Sequence, residues 1–123
     1  MALTHLVDTS ALTRLGNPAV RAAIEPLATA GVVGRATICD LEIGYSARNV
    51  TEWDRLIGSL DAFAPVETTA AHVRRARGVQ RLLAQRSQRG RKIPDLLVAA
   101  AAEDHDLTVL HYDGDFDLTG IGG

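Results

Sequence analysis

The sequence has one cysteine, Cys39, among its 123 residues. A lone thiol closes no intramolecular disulfide and offers no thiolate cluster for zinc, which excludes a disulfide scaffold and a cysteine-rich metal site. A buried structural thiol is the expectation for Cys39, and an intracellular, cytoplasmic compartment is expected from the same scarcity. Long apolar runs are missing as well. The longest, Leu96 to Ala102, has seven residues, against roughly 20 needed to cross a bilayer. Met1 to Val7 lacks a basic stretch followed by a long apolar one, so neither a membrane span nor a signal peptide is expected. Walker A and GxGxxG loops are absent, which removes nucleotide binding of those kinds. His5, His72, His105 and His111 form no i, i+4 pair and no HExxH, so each is expected to be structural or exposed. Ser10 has no GxSxG setting and no evident partner base, which argues against a hydrolase triad.

What remains is ordinary globular material, 46% hydrophobic and 23% charged. That length and composition predict a single domain over residues 1–119 that buries roughly 65% of its unfolded surface, with a short glycine-rich tail over 120–123. The net charge of −2 hides a segregation. Residues 1–67 carry five basic and eight acidic side chains, and residues 74–92 carry eight basic ones with no acid. After Lys92 come seven acids and no Lys or Arg. Cations that hold phosphates beside carboxylates that hold a metal would suit an enzyme acting on a polyanion. The plainer reading is a solvated arginine-rich helix.

Leu3 to Val7 reads as a strand that ends at Asp8. Asn17 before Pro18 opens a helix that Gly31 closes, with a kink or break expected at Pro26. Gly31 to Thr37 is the next strand. From Ile38 the positions Ile38, Leu41 and Tyr45 recur at helical spacing, which puts Glu42 on a helix. Thr51 to Asp54 has a capping-box layout and is expected to start a helix through about Leu60. Ala62 to Val66 follows as a short strand. Thr68 or Thr69 caps a long helix to about Gln88, with Val73, Ala76, Val79 and Leu83 on its apolar side and Arg74, Arg77 and Arg81 on another. Pro94 suits a first helical turn and places Asp95 there. Leu107 to His111 is a final strand that runs into Asp113, Asp115 and Asp117. Strands alternating with helices predict an α/β fold with a largely parallel sheet, and ligands bind beyond its carboxyl ends.

Four acids stand out by position: Asp8 and Asp113 after strands, Glu42 in an apolar helical stretch, and Asp95 at a helix start. Singly, each has a plain explanation as a cap, a dipole complement, a solvated side chain or a turn. Converging carboxylates repel unless a cation neutralises them. Oxygen-only ligands without cysteine or paired histidines select Mg²⁺ or Mn²⁺ over zinc.

Four segments carry a resemblance: Val7-Asp8-Thr9-Ser10-Ala11-Leu12, Cys39-Asp40-Leu41-Glu42-Ile43-Gly44-Tyr45, Ile93-Pro94-Asp95 with the apolar run to Ala102, and His111-Tyr112-Asp113-Gly114-Asp115-Phe116. In this order and spacing the chain resembles the PIN-domain nucleases, specifically the VapC-type toxins of bacterial toxin–antitoxin pairs. The resemblance implies a three-layer α/β/α PIN-like sandwich. It also implies Mg²⁺ or Mn²⁺ held by Asp8, Glu42, Asp95 and Asp113, with Ser10 and Thr9 hydrogen-bonding within the site. Endoribonuclease activity, a PIN–PIN homodimer and a cognate VapB-like antitoxin follow from it too. Asp115 is expected to support the metal from one layer further out, and Arg74, Arg77 and Arg81 to bind RNA or the antitoxin. The chain stops soon after Phe116, where such proteins often continue into another strand. Two other readings use the same residues: a degenerate PIN-like module that binds RNA or protein without cutting, and an aspartate-based phosphatase with Asp8 as nucleophile. Position 10 is Ser where such phosphatases usually have Asp.

Overall fold

Leu6 and Val7 are completely buried, because β1 (His5–Val7) lies at the centre of a sheet. The computed structural model describes residues 2–87, 92–112 and 118–121. The other strands are β2 (Val33–Ala36), β3 (Ala64–Val66), β4 (Thr108–Tyr112) and β5 (Leu118–Ile121), and the spatial order is β3-β2-β1-β4-β5. The first four pair in parallel, with Leu6 opposite Gly34 on one side and Val109 on the other. Gly34 is required by close packing: a Cβ there would meet Leu3 Cδ1 at 2.8 Å and the Ala64 carbonyl oxygen at 2.9 Å.

Helices α1 (Thr9–Leu12), α2 (Pro18–Thr29), α3 (Ile38–Tyr45) and α4 (Val50–Gly58), with a 3₁₀ turn over Ser59–Ala62, connect β1, β2 and β3. They share one apolar groove. Helices α5 (Ala70–Gln85) and α6 (Ile93–His105) return the chain from β3 to β4. Right-handed crossovers place that return on the opposite face, giving the expected α/β/α layering. Among the described residues no helix is long and apolar enough to cross a membrane.

Local chemistry explains most boundaries. The Asn17 side chain accepts from the Ala19 and Val20 amides and caps α2, with Pro18 in its first turn. Pro26 does not break this helix, which runs on to Thr29 because only one amide donor is lost, and Gly31 at φ +72° turns the chain into β2. The cap of α4 is Asn49 rather than Thr51; its side chain accepts from the Glu52 amide at 2.9 Å. Thr69 caps α5 in a reciprocal box with His72.

That box corrects the expected face of α5. His72 is 1% exposed and packs inward with Ala76, whereas Val73 is 45% exposed. His72 Nε2 lies 2.9 Å from Asp104 Oδ2, and Arg75 pairs with Glu103 at 2.7 Å, so the start of α5 is tied to the end of α6. The sheet edge is a second correction. β5 pairs antiparallel with β4, Leu110 opposite Gly120 and Val109 opposite Ile121, so residues expected in a frayed tail complete the sheet.

Candidate active site

Four parallel strands end at one edge, and the candidate residues enter there. Asp8 follows β1 directly and caps α1. Its carboxylate is buried, at 5% exposure, and Oδ2 accepts from the Ser10 hydroxyl at 2.7 Å and the Ser10 amide at 3.2 Å. Oδ1 accepts nothing among the described residues and is not sealed from solvent. Glu42 lies in the middle of α3, the helix that begins immediately after β2. The Thr9 hydroxyl donates to its Oε1 at 2.6 Å, which leaves Oε2 without a partner among the described residues. Asp95 sits in the first turn of α6. A helix leading back to a parallel strand starts at that strand's carboxyl edge, so Asp95 belongs to the same edge as Asp8. Leu96 and Leu97 hold this end of α6 against Ile38 of α3.

Asp8 and Glu42 are therefore joined through consecutive residues, Asp8 to Ser10 and Thr9 to Glu42. Cys39 reports both charges. Its thiol is fully buried, and burial pushes its pKa up from 9.0 to about 11, with the Thr9 hydrogen bond opposing and the Asp8 and Glu42 carboxylates adding to the rise. Such a thiol is a packing group, because nucleophilic sulfur requires the thiolate. Asp113 and Asp115, with Asp117, lie outside the described residues.

Two neighbours were not singled out by the sequence. His111 Nδ1 lies 3.2 Å from Ser10 Oγ and 3.6 Å from Asp8 Oδ2. The Ser10 hydroxyl proton goes to Asp8 and its oxygen accepts the Tyr112 amide at 3.0 Å, so the His111 contact is satisfied with the proton on Nδ1. His111 lies on β4, the strand beside β1, and that pairing brings it to Asp8 and Ser10. Arg14 stacks on the Tyr112 ring, its guanidinium carbon 4.5 Å from the centroid, and donates to the Ser10 carbonyl oxygen at 2.8 Å.

The donor set of Asp8, Glu42 and Asp95 is all carboxylate oxygen, and one oxygen on each of the first two has no partner among the described residues. That fits a hard divalent cation. These three do not bring their ligand atoms within 4.8 Å of one another; among the described residues His72, Asp104 and His105 do. Their chemistry fits a metal less well. His72 Nδ1 accepts the Thr69 amide at 3.2 Å, so in the neutral ring Nε2 carries the proton donated to Asp104 and has no lone pair for an ion.

Arg74, Arg77 and Arg81 are exposed on α5 and line a shallow depression with Gly78, Gln80 and Ala84. Arg35 is held apart from these surfaces. It pairs with Asp40 at 2.8 Å, donates to the Leu60 carbonyl at 2.9 Å and also to that of Phe63, so it braces β2 against the chain entering β3.

The sequence matches the PIN domain family over residues 5–121. It is 68% identical over 118 residues to Ribonuclease VapC51 of Mycobacterium tuberculosis, covering 96% of this chain and 86% of that protein. It is 42% identical over 120 residues to Ribonuclease VapC21 of the same species, covering 95% and 86%. Among solved structures, VapBC2 from Rickettsia felis bound to a promoter DNA fragment is similar at a TM-score of 0.74 and 18% identity, covering 92% of this chain and 88% of that one. A toxin–antitoxin complex from Klebsiella pneumoniae is similar at a TM-score of 0.71 and 20% identity, covering 89% and 87%. At these identities the structures speak for the fold.

Proposed function

The chain belongs to the PIN domain family and, within it, to the VapC ribonucleases; from that premise we propose that it is the toxin of a toxin–antitoxin pair, an endoribonuclease that uses Mg²⁺ or Mn²⁺. The observation that carries the reading is the joined pair Asp8 and Glu42, each fixed by one hydroxyl and each keeping one oxygen without a partner among the described residues.

Asp8, Glu42 and Asp95 would hold the metal, with Asp113 as the fourth ligand and Asp115 supporting it. A divalent cation in that position supplies Lewis acidity toward a water nucleophile and toward the phosphodiester. The protein's own part is positioning. Ser10 fixes Asp8 Oδ2 and so turns Oδ1 toward the position a metal would take. Thr9 sets the rotamer of Glu42. The His111 ring contacts the Ser10 hydroxyl from β4 and helps fix it. Arg74, Arg77 and Arg81 extend a cationic surface for the RNA backbone.

A cognate VapB-like antitoxin is the proposed partner. The groove shared by α1, α2, α3 and α4 supports this, with a volume of about 700 Å³, Leu12, Ile24, Ile43 and Leu56 along it, and Arg21, Glu25 and Arg55 at its rim. An apolar segment with charged flanks would fill it. The exposed Leu41 and Tyr45 of α3 support a homodimer contact. The cytoplasm, where cellular RNA lies, is the proposed compartment.

The test is cleavage of total cellular RNA by the chain purified free of partners, in Mg²⁺, in Mn²⁺ and in EDTA. Fragmentation with either ion and none in EDTA is expected. Intact RNA in all three conditions would leave a binding module without cleavage.

A further inference from the structure

We propose that Arg14 is a phosphate-binding residue of this site, held by Tyr112 beside Asp8 to take the backbone of a single RNA strand. The inference rests on the ribonuclease reading above and adds a specific cation to it. Arg14 is exposed, yet its guanidinium is tethered at three points: the Ser10 carbonyl at 2.8 Å, the Thr13 hydroxyl at 3.3 Å and the face of Tyr112 at 4.5 Å. Both hydrogen bonds use Nη1. The donors on Nε and Nη2 have no acceptor among the described residues, and no carboxylate among them pairs with this arginine.

An exposed arginine on a helix end ordinarily keeps its rotamer freedom. Here the ring and the carbonyl hold it with no ion pair among the described residues. Ser10 links the tether to the acidic centre: its carbonyl takes Arg14, while its hydroxyl donates to Asp8 and accepts from Tyr112. The guanidinium thus stands one residue from a buried carboxylate, and its Nε–Nη2 edge, unpaired among the described residues, is the one that pairs with two oxygens of one phosphate.

Electrostatics gives such a cation a task. The acidic centre repels a polyanion, and a fixed positive group at its rim offsets that repulsion and sets where the strand lies. Arg74, Arg77 and Arg81 lie on another helix, α5. They add attraction along the strand, whereas Arg14 fixes the phosphate nearest the cleavage site.

The test is binding of a fluorescently labelled single-stranded RNA oligonucleotide to the full chain in EDTA, followed by anisotropy across KCl concentration. Arg14→Gln is expected to weaken binding about five- to tenfold and to lower the salt slope by about 0.7, the contribution of one single-strand phosphate. Arg14→Lys should keep the slope and recover only part of the affinity. Tyr112→Leu should weaken binding with the slope unchanged. Wild-type affinity and slope in Arg14→Gln would overturn the proposal, as would wild-type binding in both other variants if that one failed to fold. A wild-type chain that neither binds nor cleaves RNA would instead overturn the ribonuclease reading.

Discussion

The hydroxyl of Thr9 donates to Glu42 at 2.6 Å, across 33 residues of sequence. The bond sets one carboxylate of the site from the residue that directly follows the other, Asp8. Thr9→Val removes the donor at nearly constant shape. Mn²⁺ affinity is expected to fall at least about tenfold, within the range typical of losing a group that orients a ligand, with little change in thermal stability. Calorimetric titration checks it, and unchanged affinity would release Thr9 from this role.

Asp95→Asn removes a charge at nearly constant volume. Cleavage should be abolished while the circular dichroism spectrum and melting point stay close to wild type. Wild-type cleavage at saturating metal would rule Asp95 out.

Cys39 titrates from 9.0 in the unfolded chain toward about 11 in the folded one. A raised folded pKa means the native state holds the proton more tightly, so this stability is complete below pH 9 and is lost as pH rises to about 11. The loss attributable to Cys39 approaches about 2–3 kcal/mol above that window. Urea unfolding of wild type and Cys39→Ala at several pH values should show a steeper alkaline decline in the wild type. Parallel declines would contradict the burial argument.

The hydrogen bond from His72 holds the Asp104 carboxyl below its ordinary value. A depressed folded pKa gives stability that is present above the unfolded value, about 3.9, and is lost as pH falls through the folded one. Asp104→Asn should therefore flatten the acid limb of the stability curve. The measurement is melting temperature between neutral pH and pH 2, and identical acid limbs would remove this pair from the account.

Replacing Arg74, Arg77 and Arg81 together with Gln is expected to weaken RNA binding and flatten its salt dependence. An unchanged salt slope would return these side chains to the status of a solvated helix face.

Much of this fold is legible in the sequence because its signals are local. Asn17-Pro18, Thr69 and Pro94 set helix starts through their own side chains, and apolar runs set the strands. Legibility fails where two local signals compete or where a partner lies far along the chain. Asn49 outcompetes Thr51 as a cap because its amide reaches Glu52. His72 replaces Val73 inside because it finds Thr69 and Asp104 there, a pairing that no apolar period reveals. Strand β5 forms because β4 offers an open edge, although Gly120 taken alone reads as tail.

The site divides in the same way. Asp8, Glu42 and Asp95 are visible as acids in apolar settings, and Thr9 and Ser10 through the family resemblance. His111 and Arg14 depend on β4 lying beside α1, which is a property of the folded sheet.

The most direct measurement is Mn²⁺ binding to the metal-free chain, compared among wild type, Asp8→Asn, Glu42→Gln and Asp95→Asn. A shared centre predicts saturable binding in the wild type and marked weakening in each of the three variants, in step with loss of RNA cleavage. Mn²⁺ affinity and cleavage that survive all three substitutions would contradict it.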